Sequence, residues 1–100
     1  MNINTLMQQA QKMQKEMQKK QKELEEKLFE IESAGGAIKI SIYGDRTIEK
    51  IDIDKDAIDP EDKEMLEDMI KIAINDAMNL IDVENEKITK SMTSGMRMPF

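Results

Sequence analysis

The spacing of the apolar residues changes twice along this sequence, and the changes predict the order of its secondary structure. Between Ile3 and Leu24, apolar residues recur every seven positions, as along one face of an α-helix. Between Phe29 and Ile53 they alternate with polar residues, which is typical of strands with one buried face. Beyond Pro60 they return to spacings of three and four. The sequence therefore predicts an α+β fold with an N-terminal helix, a three-stranded antiparallel sheet and a long C-terminal helix.

Turn and capping residues divide this order into the elements of a single small domain. Gly35 and Gly44 predict the turns of an antiparallel meander, in which Ile51 faces the buried side. Asp59 and Pro60 predict the start of the second helix, because Asp caps free amides and Pro suits the first helical position. The expected bounds within the domain 1–100 are a helix at about 3–28, strands at about 29–34, 37–43 and 47–53, a helix at about 60–90 and a flexible tail at 91–100.

The composition limits both the size of the core and the available chemistry. A chain of 100 residues buries roughly 60–65% of its unfolded surface, and this one has 10 Met but only three aromatic residues, so association would help to bury apolar surface. The sequence has no Cys and no His, which removes disulfides, thiolate chemistry and the commonest metal ligand and general base. No apolar run reaches the roughly 18 residues of a membrane span, and the start does not resemble a signal peptide, so a cytoplasmic location is expected.

Charge is distributed unevenly along the chain. The formal net charge is −6, from 21 Asp and Glu against 15 Lys and Arg. Residues 1–22 nevertheless hold five Lys and one Glu, and residues 87–100 hold three basic residues and no acid, whereas residues 23–86 hold seven basic and twenty acidic residues. Because salt screens exposed charges beyond about 8 Å, a basic helix can bind an anion although the chain as a whole is acidic.

The lysines of the first helix form a stripe. It comprises Lys12, Lys15, Lys19 and Lys22. At about 100° per residue, these positions fall almost opposite the apolar residues of the same helix. Glutamines flank the stripe, and Glu16 is the only acidic residue within it. A face of this kind neutralises phosphates whatever the base sequence, so it favours nucleic acid as a partner; the alternative is a face that serves only solubility.

The apolar face of the first helix predicts contact with a second copy of the chain. Its residues repeat at heptad spacing over two to three heptads, enough for a short seam between helices. The proposed seam comprises Leu6, Met13, Met17 and Leu24. The methionines of this face could instead grip a helix of another protein, as in an adaptor or a small chaperone, because Met side chains adapt to irregular partners.

Other candidate sites fail on spacing. Asp52, Asp54 and Asp56 begin like a calcium loop, but Ala57 stands where the loop needs Gly, and Lys63 stands where it needs a bidentate Glu. No carboxylate is marked by a partner nucleophile or by a metal-binding motif. We therefore expect no enzymatic activity and no cofactor.

Four short motifs carry a resemblance to a known family. They are NTLMQQAQKMQ at 4–14, SAGG at 33–36, IDPEDKEMLED at 58–68 and NDA at 75–77. In this order and at these spacings the chain resembles the YbaB/EbfC family of bacterial nucleoid-associated proteins over nearly its whole length. The resemblance implies a tweezer-like homodimer whose protruding helices approach DNA.

The resemblance also implies which residues face DNA. It places the family's DNA-facing helix on the segment with the lysine stripe, and its C-terminal arm on the segment with Lys87 and Lys90. The expected function is binding of double-stranded DNA at the nucleoid, mainly through phosphate, with effects on DNA conformation and gene expression. The expected partners are DNA and a second copy of the chain, without a membrane or a small-molecule substrate. The alternative is the helix-armed adaptor or small chaperone.

Overall fold

A computed structural model of the protein describes residues 2–94, with side chains described through residue 91. The elements follow the predicted order, which confirms the α+β fold class. They are helix α1 (Ile3–Glu26), strands β1 (Leu28–Ser33), β2 (Ile38–Tyr43) and β3 (Ile48–Ile53), and helix α2 (Lys63–Ser94), with short 3-10 turns at Ala34–Gly36 and Lys55–Ala57.

Helix α1 has hydrogen bonds that fix both of its ends. The side-chain oxygen of Asn2 accepts a hydrogen bond from the amide of Asn4 at 3.1 Å and caps the first turn. Lys27 is extended, with φ −79° and ψ 135°, and its N–H donates to the carbonyl of Leu24. The helix therefore ends at Glu26 rather than near residue 28, because the change to extended backbone comes just before the first strand.

Helix α2 begins later than the sequence predicts, because two aspartates compete to cap it. The side chain of Asp59 accepts a hydrogen bond from the amide of Glu61 at 2.9 Å within a local turn. The side chain of Asp62 accepts one from the amide of Met65 at 3.1 Å, which is the bond of a helix cap. The helix consequently starts at Lys63, and the proline before it belongs to the preceding turn.

The core lies between the sheet and α2. The central strand of the sheet is β2, and its three isoleucines are at most 1% exposed. Helix α2 covers them with Ala73, Ala77 and Ile81, all fully buried, and the small alanines let the helix backbone approach the sheet. Phe29 from β1 and Leu24 from α1 complete the buried cluster. The long C-terminal helix is thus the second layer of a two-layer fold.

Strand β3 lies at the edge of the sheet and is only partly covered. Ile51 pairs in register with the buried Ile40 and therefore faces the same side of the sheet. It is nevertheless 40% exposed, because α2 packs over β1 and β2. The prediction that Ile51 faces the buried side is therefore confirmed, but its side chain stays partly uncovered, since alternation along a strand gives the direction of a side chain and not what covers it.

Both helices extend beyond the sheet. Helix α2 continues to Ser94, through the first residues of the predicted tail at 91–100, and residues 95–100 lie outside the described residues. Among the side chains of α1 only Leu24 is buried. Residues 3–23, which we call the arm, extend beyond the sheet and keep contacts with α2, among them the hydrogen bond from Lys20 to Ser91. The molecule is accordingly elongated, with extents of 70 × 28 × 16 Å and a radius of gyration of 19.7 Å, against about 13 Å for a compact chain of this length.

Candidate nucleic-acid interface

The burial of Leu24 fixes the rotation of the arm about its own axis. This side chain points into the core and is 6% exposed. The lysine stripe lies on the other side of the helix at about 100° per residue, so it points away from the body into solvent. Each of its four members is exposed, namely Lys12, Lys15, Lys19 and Lys22. The structure therefore brings these four predicted residues together on one open face.

The positive charge of the stripe is not neutralised by the chain around it. Among the described residues, no carboxylate oxygen lies within 4.0 Å of any of the four amino groups. Some lysines of the body, in contrast, lie near carboxylates, as Lys39 does near Glu32 at 4.0 Å and Lys63 near Glu67 at 3.8 Å. From the first lysine of the stripe to the last, the helix rises about 15 Å. The stripe is thus a row of solvated cations that a polyanion can approach.

Lys20 lies off the stripe and has a different contact. Its amino group donates a hydrogen bond to the hydroxyl of Ser91 at 3.4 Å. This bond joins the base of the arm to the far end of α2. Lys20 therefore contributes to the position of the arm, whereas the stripe lysines remain available to a ligand.

Lys87 and Lys90 belong to α2 and do not share a helix face with the stripe. Both side chains are exposed. The amino group of Lys87 lies 3.1 Å from a carboxylate oxygen of Glu84, one turn earlier in the same helix. Much of the Lys87 charge is therefore already balanced within α2. This places Lys87 below the stripe lysines as a candidate phosphate ligand.

The predicted seam is divided by the structure into an exposed and a buried part. Leu6 is 45% exposed near the tip of the arm, and Met13 and Met17 are half-buried. Leu24 packs in the core of its own chain, so it belongs to the fold rather than to a surface open to a partner. The seam available for contact consists of the first three residues, extended toward the tip by the exposed Ile3 at 71%.

A second exposed apolar surface, which the sequence pattern did not predict, lies on α2. It comprises Met65, Ile72 and Val83, at 41%, 52% and 47% exposure, and we call it the α2 strip. The spacings of seven and eleven residues place all three on one side of the helix. The signal was present in the sequence, but a helix that is apolar over a wide arc does not reveal which part of the arc meets the sheet.

Other features of the described chain are weaker candidates for a binding site than the arm. A depression of about 340 Å³ on the open face of the sheet is lined by charges of both signs, among them Glu32, Lys39 and Asp52, so it has no clear preference for an anion. Within residues 2–94, no group of three or more acidic side chains is arranged to hold a metal ion. No helix in the same part of the chain is long and apolar enough to cross a membrane.

Comparison with known proteins places this geometry in a family. The sequence matches the profile of the YbaB/EbfC DNA-binding family over residues 1–96. It is 48% identical over 99 residues to a nucleoid-associated protein of Clostridium novyi (strain NT), covering 99% of this chain and 87% of that protein. It is 45% identical over 100 residues to a nucleoid-associated protein of Mycoplasmopsis pulmonis (strain UAB CTIP), covering 100% of this chain and 97% of that protein.

A solved structure shares the fold. The crystal structure of an uncharacterized protein from Helicobacter pylori superposes with a TM-score of 0.75, covering 93% of this chain and 98% of that one. The two sequences are 22% identical, so this likeness concerns the arrangement of helices and strands.

Proposed function

The chain belongs to the YbaB/EbfC DNA-binding family, and we propose that it is a nucleoid-associated protein that binds duplex DNA mainly through backbone phosphates. The relatives described above bear the name nucleoid-associated protein. The observation that carries the proposal is the lysine stripe, which is exposed, turned away from the body and without a carboxylate partner among the described residues. We place this activity in the cytoplasm, at the nucleoid.

The position of the stripe on the arm makes phosphate binding compatible with an acidic protein. The net charge is −6, and most acids lie in the body rather than on the arm. At physiological salt, charges are screened over about 8 Å, whereas the arm extends over several helical turns. A duplex that lies along the stripe is therefore attracted by nearby lysines more than it is repelled by the distant body. Binding of this kind releases counterions and is insensitive to base sequence.

We propose that the functional unit is a homodimer. The chain exposes 7850 Å², whereas a compact monomer of 11.5 kDa exposes roughly 5800 Å². The difference arises from the elongated shape and includes large apolar side chains on both helices. A second copy would cover part of this surface, and two arms would present two lysine stripes to DNA.

For the contact between copies we propose the seam formed by Leu6, Met13 and Met17. Among the described residues, the tip of the arm carries the most exposed of the large apolar side chains, Ile3 at 71% and Met7 at 55%. The seam lies on the side of the helix away from the lysines, so pairing through it would not bring the two stripes together. The α2 strip is the competing surface, since it offers a comparable exposed apolar area close to the core.

The proposed function is tested by measuring affinity for a random duplex and for a single strand of the same length across a salt series. If the dimer meets about four to eight phosphates, the logarithm of the association constant should fall against the logarithm of salt with a slope of about −4 to −7. Replacing all four stripe lysines with Gln should flatten the slope and weaken binding to every duplex alike, because phosphate contacts carry no sequence information.

The quadruple variant should keep its fold, since Gln is nearly as good a helix former as Lys and the stripe faces solvent. Wild-type affinity together with a wild-type slope in this variant would show that the stripe serves only solubility. Failure of the unmodified protein to bind either duplex or single strand at low salt would favour the adaptor over the DNA-binding function.

A further inference from the structure

The turn between β2 and β3 contacts both helices at the base of the arm. The amide of Gly44 donates to the carbonyl of Lys27, immediately after α1, at 2.9 Å. Two residues later, the guanidinium of Arg46 donates to the backbone carbonyl of Met78 in α2 at 3.4 Å and forms an ion pair with Asp82. A single turn therefore ties the end of α1 to the middle of α2. We call the contacts of Arg46 with Met78 and Asp82 the clasp.

Arg46 adopts a backbone conformation that arginine rarely takes. Its φ of +73° lies in the left-handed region, where the Cβ atom is crowded and Gly or Asn is preferred. Such a conformation persists only when surrounding contacts offset its cost. The turn itself does not require an arginine, so the contacts that favour one here are those of the clasp.

The clasp lies where a small rotation would displace the lysine stripe by a large distance. The arm is held to the body toward its C-terminal end, by the buried Leu24, by the bond from Gly44 to Lys27 and by the bond from Lys20 to Ser91 of α2. From Leu24 to Lys12 the helix runs about 18 Å. A change of direction at the base is therefore amplified along the arm before it reaches the lysines.

We propose that Arg46 is a positioning residue for the DNA-binding arm: the clasp holds the β2–β3 turn against α2 and thereby fixes the direction in which α1 presents its lysines. Arg46 acts through Gly44 and Lys27 and not by touching DNA. The consequence for DNA rests on the proposed function, whereas the direction of the arm is a property of the free protein and is measurable without DNA.

The direction of the arm can be measured between two spin labels. The sequence contains no Cys, so Gln9→Cys on the arm and Glu49→Cys on β3, both exposed positions, give specific labelling of the full chain. Dilution with unlabelled protein leaves only the distance within one chain. In the wild-type background we expect a single narrow distribution of distances by double electron–electron resonance.

Arg46→Gly separates positioning from stability. Glycine relieves the strain of the positive φ while it removes the clasp, so the folded state should survive. We expect the width of the distance distribution to increase at least twofold. The exchanged pair Arg46→Asp with Asp82→Arg restores the ion pair, although not the bond to the Met78 carbonyl, and should return the width part of the way toward that of the wild type, since Asp tolerates the left-handed region. Lys50→Gln, which removes an exposed charge from the same hairpin, should change nothing.

The DNA readout uses the same variants in the salt series. Arg46→Gly should weaken duplex binding by about three- to tenfold with an unchanged salt slope, because every stripe lysine is retained. The exchanged pair should recover part of the affinity. A distance distribution as narrow as that of the wild type in Arg46→Gly, or a broad one that the exchanged pair does not narrow, would overturn the positioning role. If wild-type protein binds no DNA, the proposed function fails while the distance measurement still decides on the clasp.

Discussion

A Cβ atom added to Gly44 would lie 1.8 Å from the carbonyl oxygen of Leu24. The backbone of the β2–β3 turn at Gly44 thus packs directly against the backbone of the last turn of α1. No side chain can be accommodated between them, and the carbonyl belongs to a helix that cannot shift without moving the buried Leu24. The place where the arm leaves the body is therefore determined by a glycine in a different element.

Gly44→Ala should be among the most destabilising single methyl additions in this protein. The expected loss is about 3 kcal/mol or more of the free energy of unfolding, since the methyl group meets backbone that cannot repack. Gly35→Ala is the matched control, because an added Cβ there has nothing within 4 Å but a φ of +67°. It should cost only about 1 kcal/mol through backbone strain. Urea unfolding of the two variants checks the order, and equal losses would contradict the close contact at Gly44.

Single lysine replacements should distinguish the stripe from α2. Lys19→Gln removes a cation with no carboxylate partner among the described residues, so the salt slope should flatten by about 0.9 for each phosphate that is no longer neutralised, with roughly three- to tenfold weaker binding at low salt. Lys87→Gln removes a cation that Glu84 already balances at 3.1 Å, so its effect should be less than half as large. Fluorescence anisotropy with one random duplex compares them. An effect of Lys87→Gln as large as that of Lys19→Gln would place DNA on α2 as well.

The order of elements and the faces of the helices could be predicted because they depend on local periodicity. A seven-residue repeat fixes which side of α1 is apolar and which is basic, wherever the helix lies in the fold. What covers each apolar side chain depends on tertiary packing. Leu24 and Met17 have the same heptad pattern, yet only Leu24 lies over the sheet and is buried. The exposed Ile51 is the corresponding case in β3.

Contacts between distant residues and competing local signals could not be predicted. Arg46 and Asp82 are separated by 36 residues, and nothing in the charge pattern of the acidic body selects this pair from many others. Asp59 and Asp62 are both good helix caps with suitable neighbours. The choice between them depends on the turn in which the side chain of Asp59 accepts a hydrogen bond from the amide of Glu61. That turn becomes evident only in three dimensions.

The carboxyl group of Asp45 should stabilise the β2–β3 turn in a pH-dependent way. Hydrogen bonds from the side chain and then from the amide of Thr47, the latter at 2.8 Å, lower the pKa of Asp45 from its ordinary value of 3.8. Because the pKa is lower in the folded state, the ionised carboxylate of Asp45 contributes to folding stability. This contribution is fully present above pH 3.8 and is lost as the pH falls through the folded-state pKa.

A titration of the Asp45 carboxyl carbon by NMR checks this prediction. Thr47→Val removes the hydroxyl and keeps the amide, so the pKa should move back toward the ordinary value without reaching it. Asp45→Asn should abolish the corresponding part of the acid dependence of stability. A carboxyl that titrates in the folded protein at or above its ordinary value would contradict the hydrogen bonds to Thr47.

The contact between copies should respond to single charges placed on exposed apolar positions. Leu6→Glu places a carboxylate on the proposed seam, at a side chain that is 45% exposed in the single chain, so the fold should be retained while association is weakened at least tenfold. Ile72→Glu does the same on the α2 strip, at 52% exposure. Thr5→Glu adds equal charge to the arm away from the seam and serves as the control. Sedimentation velocity over a range of protein concentrations measures each equilibrium.

The comparison between Leu6 and Ile72 decides which surface joins the copies. Met13 and Met17 are less suited to this test, because both are already half-buried and their replacement can also move the arm. If the seam is the interface, Leu6→Glu should sediment as a monomer at concentrations where Ile72→Glu and Thr5→Glu remain dimers. The reverse result would assign the contact to the α2 strip and leave the apolar face of the arm open beside the DNA. A monomer in all three variants and in the wild type would remove the homodimer, and the salt slope should then be about half of that expected for two stripes.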